Sequence, residues 1–424
     1  VWTPLLVGLA AVLGAEAVGS SLVLGGGALT KLLSAGVAAF VVVKLALRLT
    51  NWRGRRLLVS RWRRLTRWEF WPPYVFYPPV VVYVLLLGIS HRCLTLFTCA
   101  NPAIPSGGFA GESKIEILRG LSTSRRARAH VARAVRIDTA LTPSARVSAA
   151  RRFMAEYDLA FPLVVKPDAG QRGEGVRVVR SDEELVEALC MSSRDLLVQE
   201  YAPGFEFGVF YYRRPGEERG RIFSITEKRF PAVEGDGEST LEELILRDAR
   251  AVCMAKTYMT QHADALGEVL PAGQSLSLVE VGSHCRGALF LDGSRFETAA
   301  LERSIDRLSK GFKGFYFGRF DIRTPSPEDF RHGCNFKIVE LNGVTSEATH
   351  IYDPAYGLLD AYKVLFQQWR LAFEIGAQNR ARGSRPTPLA KLLELAYKAL
   401  RFEESPAGVS DHYDGGNNSL GARI

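Results

Sequence analysis

Two short segments in the C-terminal half constrain the fold most: GRFDIR (residues 318–323) and FKIVELNGV (residues 336–344). In each, acids alternate with apolar residues, Asp321 between Phe320 and Ile322, and Glu340 between Val339 and Leu341. A period of two belongs to a β-strand, whose successive side chains point to opposite faces. Such segments need a sheet with one apolar face and one face that carries carboxylates. Asn342 lies two residues beyond Glu340 and falls on the same face. Asp321, Glu340 and Asn342 would then offer three oxygen ligands to a hard cation, suited to Mg2+ that also touches phosphates. Taken alone, the same pattern also describes ordinary acids on a solvated sheet.

Two further segments carry chemistry. FPLVVKPDAGQRGEGVRVV (residues 161–179) reads as a strand ending at Lys166, a turn with Gly170, Gly173 and Gly175, and a second strand. Glycines let backbone N–H groups approach a polyphosphate, and a lysine adds positive potential. No GxxxxGK[ST] opens a helix here, so this is not a P-loop. LLVQEYAPGFEFGVFYY (residues 196–212) offers a strand, Glu200, a Pro-Gly turn and Glu206. A strand-to-loop hinge of this kind can present backbone groups to an adenine edge and a carboxylate to ribose hydroxyls. Two solvated glutamates are the plainer alternative.

From about Thr95 the chain alternates β-branched runs with amphipathic stretches. LVVKP, VRVVR, LLVQEY and FKIVELN read as strands, and DEELVEALC and LEELILRDAR as helices. In order and type these elements resemble the ATP-grasp superfamily, in which two α+β lobes close on ATP. The resemblance runs from roughly Thr139 to Phe373. It implies that Lys166 contacts the ATP α- and β-phosphates under the Gly170–Gly175 turn, that Glu200 and the Tyr201–Ala202 backbone form the adenine hinge, and that Glu206 meets the ribose.

GRFD followed by ELN is similar to the Gly-Arg-x-Asp and Glu-x-Asn pair of D-alanine–D-alanine ligase. That likeness implies Mg2+ held by Asp321, Glu340 and Asn342, with Arg319 stabilising the transferring phosphoryl group. TEKRFPAVEGDGESTLEELI (residues 226–245) resembles the V-x-G-D-G-x-x-T-x-x-E-L segment of cyanophycin synthetase and related glutathione-forming ligases, which implies Lys228 or Arg229 beside the γ-phosphate. VGSHCRGALF (residues 281–290) sits where those ligases carry a Gly-rich segment, with Arg286 as its candidate and His284 as a weaker one, since a lone histidine is more often structural.

The region ahead of the ATP lobes departs from the family, being too short for a full Rossmann-like domain. ANPAIPSGGFAGESK (residues 100–114) occupies that place, either as a substrate loop anchored by Glu112 and Lys114 or as a plain linker.

The N-terminus has a different character. It begins at Val1 rather than Met, as a trimmed or incomplete start would. Residues 4–29 are apolar or small with Glu16 the only charge, and residues 32–49 are apolar apart from Lys44 and Arg48, so a transmembrane helical hairpin is expected over 1–50. A single span with a buried or interfacial helix is the alternative. Between Arg48 and Arg67 lie eight arginines and no acid, interleaved with tryptophans, which accounts for much of the net charge of +9. Basic and aromatic residues mixed in this way suit an anionic cytoplasmic leaflet, and no nucleic-acid partner is expected. The Pro-broken run at residues 70–90 is expected to be re-entrant or interfacial. Six scattered cysteines without a CxxC pair suggest neither a zinc site nor a disulfide framework.

The expectation is therefore an α+β ATP-grasp domain over 139–375, preceded by the N-terminal membrane segment, a basic and Pro-rich stretch (51–95) and a reduced region (96–138), and followed by a linker, an amphipathic helix and a disordered tail (376–424). The N-terminal segment and its basic flank suggest membrane association with a cytoplasmic ATP-grasp domain, and the resemblance implies a ligase. It would use ATP and Mg2+ to join a small-molecule or lipid-linked carboxylate to an amine through an acylphosphate, releasing ADP and phosphate. The alternatives are an ATP-grasp kinase that phosphorylates a hydroxyl and a non-catalytic ATP-binding membrane module.

Overall fold

The computed structural model describes residues 36–37, 40, 49–123, 125–170, 175–279, 282 and 287–404. These carry eleven strands: β1 (Ala134–Ile137), β2 (Leu163–Pro167), β3 (Arg177–Val179), β4 (Leu196–Glu200), β5 (Phe205–Tyr212), β6 (Arg221–Arg229), β7 (Ala232–Glu234), β8 (Ser275–Ser277), β9 (Leu289–Asp292), β10 (Phe317–Thr324) and β11 (Lys337–Asn342). The chain divides into two units, residues 1–76 with 230–279, and residues 77–229 with 280–424.

The larger unit contains two lobes. In the smaller lobe the sheet runs β1-β4-β2-β3, every pair antiparallel. Helices Pro143–Tyr157 and Asp182–Cys190 pack on it through Val147, Phe153, Leu185 and Leu189 against Leu163, Val165 and Val198. Both helices start where the sequence supplies an acceptor. Thr142 caps the first, with Pro143 at the position whose N–H has no helical partner, and Ser181 caps the second ahead of three acids that suit the helix dipole.

In the larger lobe the sheet runs β11-β10-β5-β6-β9, again antiparallel throughout. The alternation read from the sequence decides its two faces. Phe207, Val209, Tyr211, Ile225, Phe320, Ile322, Ile338 and Leu341 join one core with helices Lys114–Leu121 and Ala299–Gly311. The other face carries the charged residues, and at its far end Phe210 and Phe317 are covered by helix Leu358–Ala381.

In the other unit, helix Trp52–Thr66 packs on the insertion that contains β7, β8 and helices Leu241–Arg247 and Ala255–Gln261. Part of the arginine block has a structural use here. Arg56 donates to the carbonyls of Leu246 and Arg247, open at the C-terminal end of helix Leu241–Arg247, and Arg63 donates to the Ala249 carbonyl just beyond it. In the GDG motif, Asp236 accepts from the Ser239 hydroxyl and from the Ser239 and Glu238 N–H groups, bonds that hold its pKa down to about 2. It thereby shapes the turn that leads to the Thr240–Glu243 capping box.

The expected membrane segment is corrected. The hairpin placed over 1–50 lies almost entirely outside the described residues, and among the described residues no helix is long and apolar enough to cross a membrane. Of the run at 70–90, only Pro78–Ser90 forms a helix of any length, 13 residues, or about 20 Å at 1.5 Å per residue, against a hydrocarbon core of about 30 Å. The Pro-Pro pairs are the cause, because each starts a new helix instead of extending one. The longer helix packs on Leu358–Ala381, with Tyr83 stacked on Phe366 at 4.3 Å between ring centroids. The expected membrane-associated localisation falls with that segment.

Residues 96–107 enter the larger lobe through Asn101, which is fully buried. Its Oδ1 accepts from the N–H groups of Tyr316 and Phe317, and its Nδ2 donates to the carbonyls of Gly107 and Phe317. Asn101→Ala strands these backbone groups and is expected to cost about 3 kcal/mol of stability, measured by urea denaturation.

Candidate active site

The charged face of the larger sheet is set by register. Asp321 on β10 lies opposite Glu340 on β11 and Gly208 on β5, and Arg319 lies opposite Asn342. Arg323 lies opposite Glu206, which in turn lies opposite Lys228 on β6. Six charged side chains and Asn342 therefore share one face of four adjacent strands, brought together from three regions of the sequence.

Their charges interlock. Lys228 Nζ is 2.8 Å from Glu206 Oε1 and 3.1 Å from Asp321 Oδ1, and Arg319 Nε is 3.2 Å from the same Asp321 oxygen. Arg323 Nε stands 3.7 Å from Glu206 Oε2. Burial opposes the Asp321 carboxylate, but Arg319 and Lys228 outweigh it and hold its pKa below the usual value. For Lys228 burial favours the neutral amine, and Asp321 and Glu206 prevail and push its pKa above that of an ordinary lysine. Arg319 is also raised, chiefly by Asp321 acting against its burial, and its Nη1 donates to the Glu347 carbonyl at 2.9 Å. The Glu347 carboxylate accepts the hydroxyls of Tyr77 and Tyr352, which ties the loop after β11 to the start of helix Pro78–Ser90.

Across from this face, Lys166 leaves the smaller sheet at the end of β2 and donates to the Val339 carbonyl on β11 at 3.1 Å. It is buried, and burial lowers its pKa; Glu340 opposes the shift, and Lys114 adds to it. Gly175 has φ +68°, where a Cβ would stand 2.9 Å from Pro167 Cγ. Gly173 lies outside the described residues, as do Arg286 and His284.

The hinge that follows β4 is tied to its surroundings through Glu200. Glu200 Oε2 accepts the Arg133 N–H at 2.9 Å, and Lys337 Nζ lies 3.1 Å from Oε1, so this side chain joins the hinge to β1 and β11. Tyr201 lies under the Arg323 guanidinium at 5.3 Å, and Ala202 is buried. Glu206, assigned to a ribose by resemblance, is held by Lys228 and Arg323.

Residues 107–114 cross between the lobes. Thr345 Oγ1 donates to the carbonyls of Gly108 and Phe109, and Gly108 packs so close to Gly343 that a Cβ would stand 2.6 Å from its Cα. At the other end, Ser113 Oγ and the Ile115 N–H donate to the Asp168 carboxylate, and Lys114 Nζ to the Gly170 carbonyl. Glu112 lies between these anchors. Burial raises its pKa, its own backbone N–H and Lys114 oppose the rise, and the neighbouring Glu340 adds to it. The segment is therefore built into the cleft.

The donor set can be tested for Mg2+. Asp321 Oδ1 is committed to cations, while Oδ2 has only the Asn342 amide, 3.4 Å away. Turning that amide would place its oxygen beside Oδ2, an arrangement that a cation favours and its absence disfavours. Among the described residues no group of three or more His, Cys, Asp or Glu is arranged as a metal site. Two carboxylates and an amide fit Mg2+ only with phosphate oxygens and water completing the shell.

Two facing α+β lobes, a lysine near the end of a small-sheet strand and paired acidic strands on the larger sheet agree with the resemblance to the ATP-grasp superfamily read from the sequence. Among curated proteins the chain is similar to cyanophycin synthetase. It is 26% identical to that of Synechocystis sp. over 221 residues, 47% of this chain and 24% of that protein. To that of Trichormus variabilis it is 33% identical over 94 residues, 21% of this chain and 10% of that protein. The match spans a quarter or less of these relatives' length. Among solved structures, D-alanine–D-alanine ligase from Bacillus anthracis aligns with TM-score 0.35 and 15% identity over 66% of this chain and 70% of that one. VanG D-Ala:D-Ser ligase from Enterococcus faecalis aligns with TM-score 0.33 and 14% identity over 62% of each. No protein-family model matches the chain. Superpositions this low carry no argument, and the resemblance rests on the strand order and on the residues themselves. The resemblance to ATP-grasp carboxylate–amine ligases read from the sequence stands.

Lys228→Met leaves Glu206 and Asp321 without their shared cation and is expected to cost about 3–5 kcal/mol at neutral pH. The loss should shrink toward pH 4, where Asp321, no longer held ionised by Lys228, takes up a proton. Urea denaturation at both pH values measures it.

Proposed function

We propose that the chain is an ATP-dependent ligase that joins a small-molecule carboxylate to an amine through an acylphosphate, releasing ADP and phosphate. The observation that carries this reading is the register of β10 on β11, which sets Arg319, Asp321, Glu340 and Asn342 together opposite Lys166. Its sequence support is the similarity to cyanophycin synthetase over 221 residues.

In this reading ATP is a substrate that lies between the two sheets. Lys166 binds its phosphates, with the glycine-rich stretch 170–175 assigned beside it from its sequence alone, and the Tyr201–Ala202 backbone meets the adenine. Asp321, Glu340 and Asn342 would hold Mg2+, which supplies charge neutralisation to the phosphates when bound. Phosphoryl transfer is catalysed chiefly by positioning and by cations at the equatorial oxygens. Arg319, fixed between Asp321 and the Glu347 carbonyl, is oriented in advance for that task. Lys228 pairs with Glu206 and with Asp321, helps hold Asp321 ionised, and so touches the proposed metal-ligand set directly. Arg286 belongs to the proposed machinery from its sequence position alone. Glu112 and Lys114 place a carboxylate and an ammonium where the carboxylate or amine substrate would enter. The reaction needs no enzyme nucleophile, since the carboxylate oxygen attacks the γ-phosphorus, ADP leaves, and the amine then displaces phosphate from the acyl carbon.

The test is ATP turnover with Mg2+ against a panel of amino acids and dipeptides. ADP and phosphate released only with a carboxylate and amine pair, together with a hydroxamate trapped when hydroxylamine replaces the amine, are the expected results. A stable phosphorylated hydroxyl product would make the protein a kinase, and ATP binding without turnover would make it a binding module. Glu340→Gln, which keeps size and removes charge, is expected to lower kcat by roughly 10²–10³-fold with the fold intact. Near-normal kcat in that variant would refute the metal assignment.

A further inference from the structure

A cavity of about 450 Å³ opens away from the charged face, at the free edge of β1. Its floor is apolar, made by Leu118 of helix Lys114–Leu121, Val131 and Phe153 of helix Pro143–Tyr157. Its walls are basic, with Arg119, Arg128, Arg133 and Arg152 converging from four separate stretches of chain. Glu156 is the one acid among the lining residues, and it accepts the Tyr157 hydroxyl. Arg133 lies over the Tyr157 ring at 4.9 Å, while Arg119, Arg128 and Arg152 form no ion pair among the described residues. Four guanidinium groups around an apolar hollow repel one another, and a bound anion relieves that repulsion. Arginine forks also match carboxylate and phosphate geometry.

We propose that this cavity is a second binding site, separate from the catalytic cleft, for a small anionic molecule with an apolar body, and that its occupant adjusts ATP binding. Binding itself depends on the cavity alone, and the regulatory effect rests on the ATP-grasp reading above. The physical link is short. Arg133 presents its side chain to the cavity, while its N–H donates to Glu200 Oε2 and its carbonyl accepts the Glu200 N–H at 2.8 Å. Glu200 begins the hinge that would meet adenine. A ligand that draws Arg133 into the cavity acts on β1 and, through these two bonds, on the hinge. The cavity is lined from both lobes, by helix Pro143–Tyr157 on one side and helix Lys114–Leu121 on the other, so an occupant also biases their closure.

The probe is 8-anilinonaphthalene-1-sulfonate, an aromatic body with one fixed negative charge, titrated by fluorescence into the full chain. Saturable binding at one site per chain is expected. The double variant Arg128→Glu with Arg152→Glu should weaken it by about tenfold or more, the loss of at least one charge-assisted contact. Arg152→Lys should retain most of it, and Ala149→Phe, which fills the cavity without changing charge, should abolish it. Neither arginine belongs to the catalytic machinery, so ATP turnover without probe should be unchanged in the double variant. Equal probe affinity in the wild-type chain and in both the charge-reversed and filled variants would overturn the site and place the probe on exposed apolar surface, such as Val81–Ile89. The linkage is read from the Kd for ATP, measured by binding and not by turnover. A shift of that Kd by saturating probe in the wild-type chain, absent in the double variant, is expected, and no shift in either overturns the coupling. Failure of the ligase reading would appear instead as absent turnover with probe binding intact.

Discussion

The larger lobe depends on one buried arrangement, the Lys228 ammonium held between Glu206 and Asp321 with Arg319 and Arg323 at its flanks. A charge removed from water costs several kcal/mol unless partners meet it closely, and here three cations and three acids, Glu340 included, occupy one face of four adjacent strands. That face cannot close on an apolar layer, as its opposite does, without losing the solvation of Glu340 and Asn342. The lobe therefore builds its core on one side and leaves the other as the wall of a cleft. The same pairing holds Asp321 ionised, which a cation site requires.

Around this wall the chain uses polar groups as ties. Lys166 and Gln199 both reach the Val339 carbonyl from the smaller lobe, and Glu200 reaches Lys337. Residues 107–114 fasten at one end to the loop after Asn342 and at the other to the loop after Lys166. The two loops that flank the cleft are thus joined by a segment from outside the two sheets. This gives the short pre-lobe region a role that a linker would not have, and it brings Glu112 to Glu340.

Much of this was legible in the sequence where local periodicity and packing agree. LVVKP and DEELVEALC coincide with β2 and helix Asp182–Cys190, because each buries one face within its own lobe. The alternation around Asp321 and Glu340 revealed their common face, since a strand has only two. What was not legible depends on distant partners. Residues 70–90 read as a membrane-contacting run, since nothing local reveals that helix Leu358–Ala381 receives Tyr83. Glu200 and Glu206 read as free ligand groups because Arg133, Lys337 and Arg323 lie far away in sequence. Tyr77 was hidden within an apolar stretch although its hydroxyl meets Glu347, and the basic cavity draws its arginines from segments with no shared motif.

The central claim is that the cleft between Lys166 and the β10–β11 face binds ATP with Mg2+. Calorimetric titration of AMP-PNP, with and without Mg2+, into the wild-type chain and into Lys166→Met tests it without knowledge of either substrate. One site per chain that depends on Mg2+ and is weakened in the variant is the expected result. No binding, or binding of equal strength in Lys166→Met and without Mg2+, would contradict it.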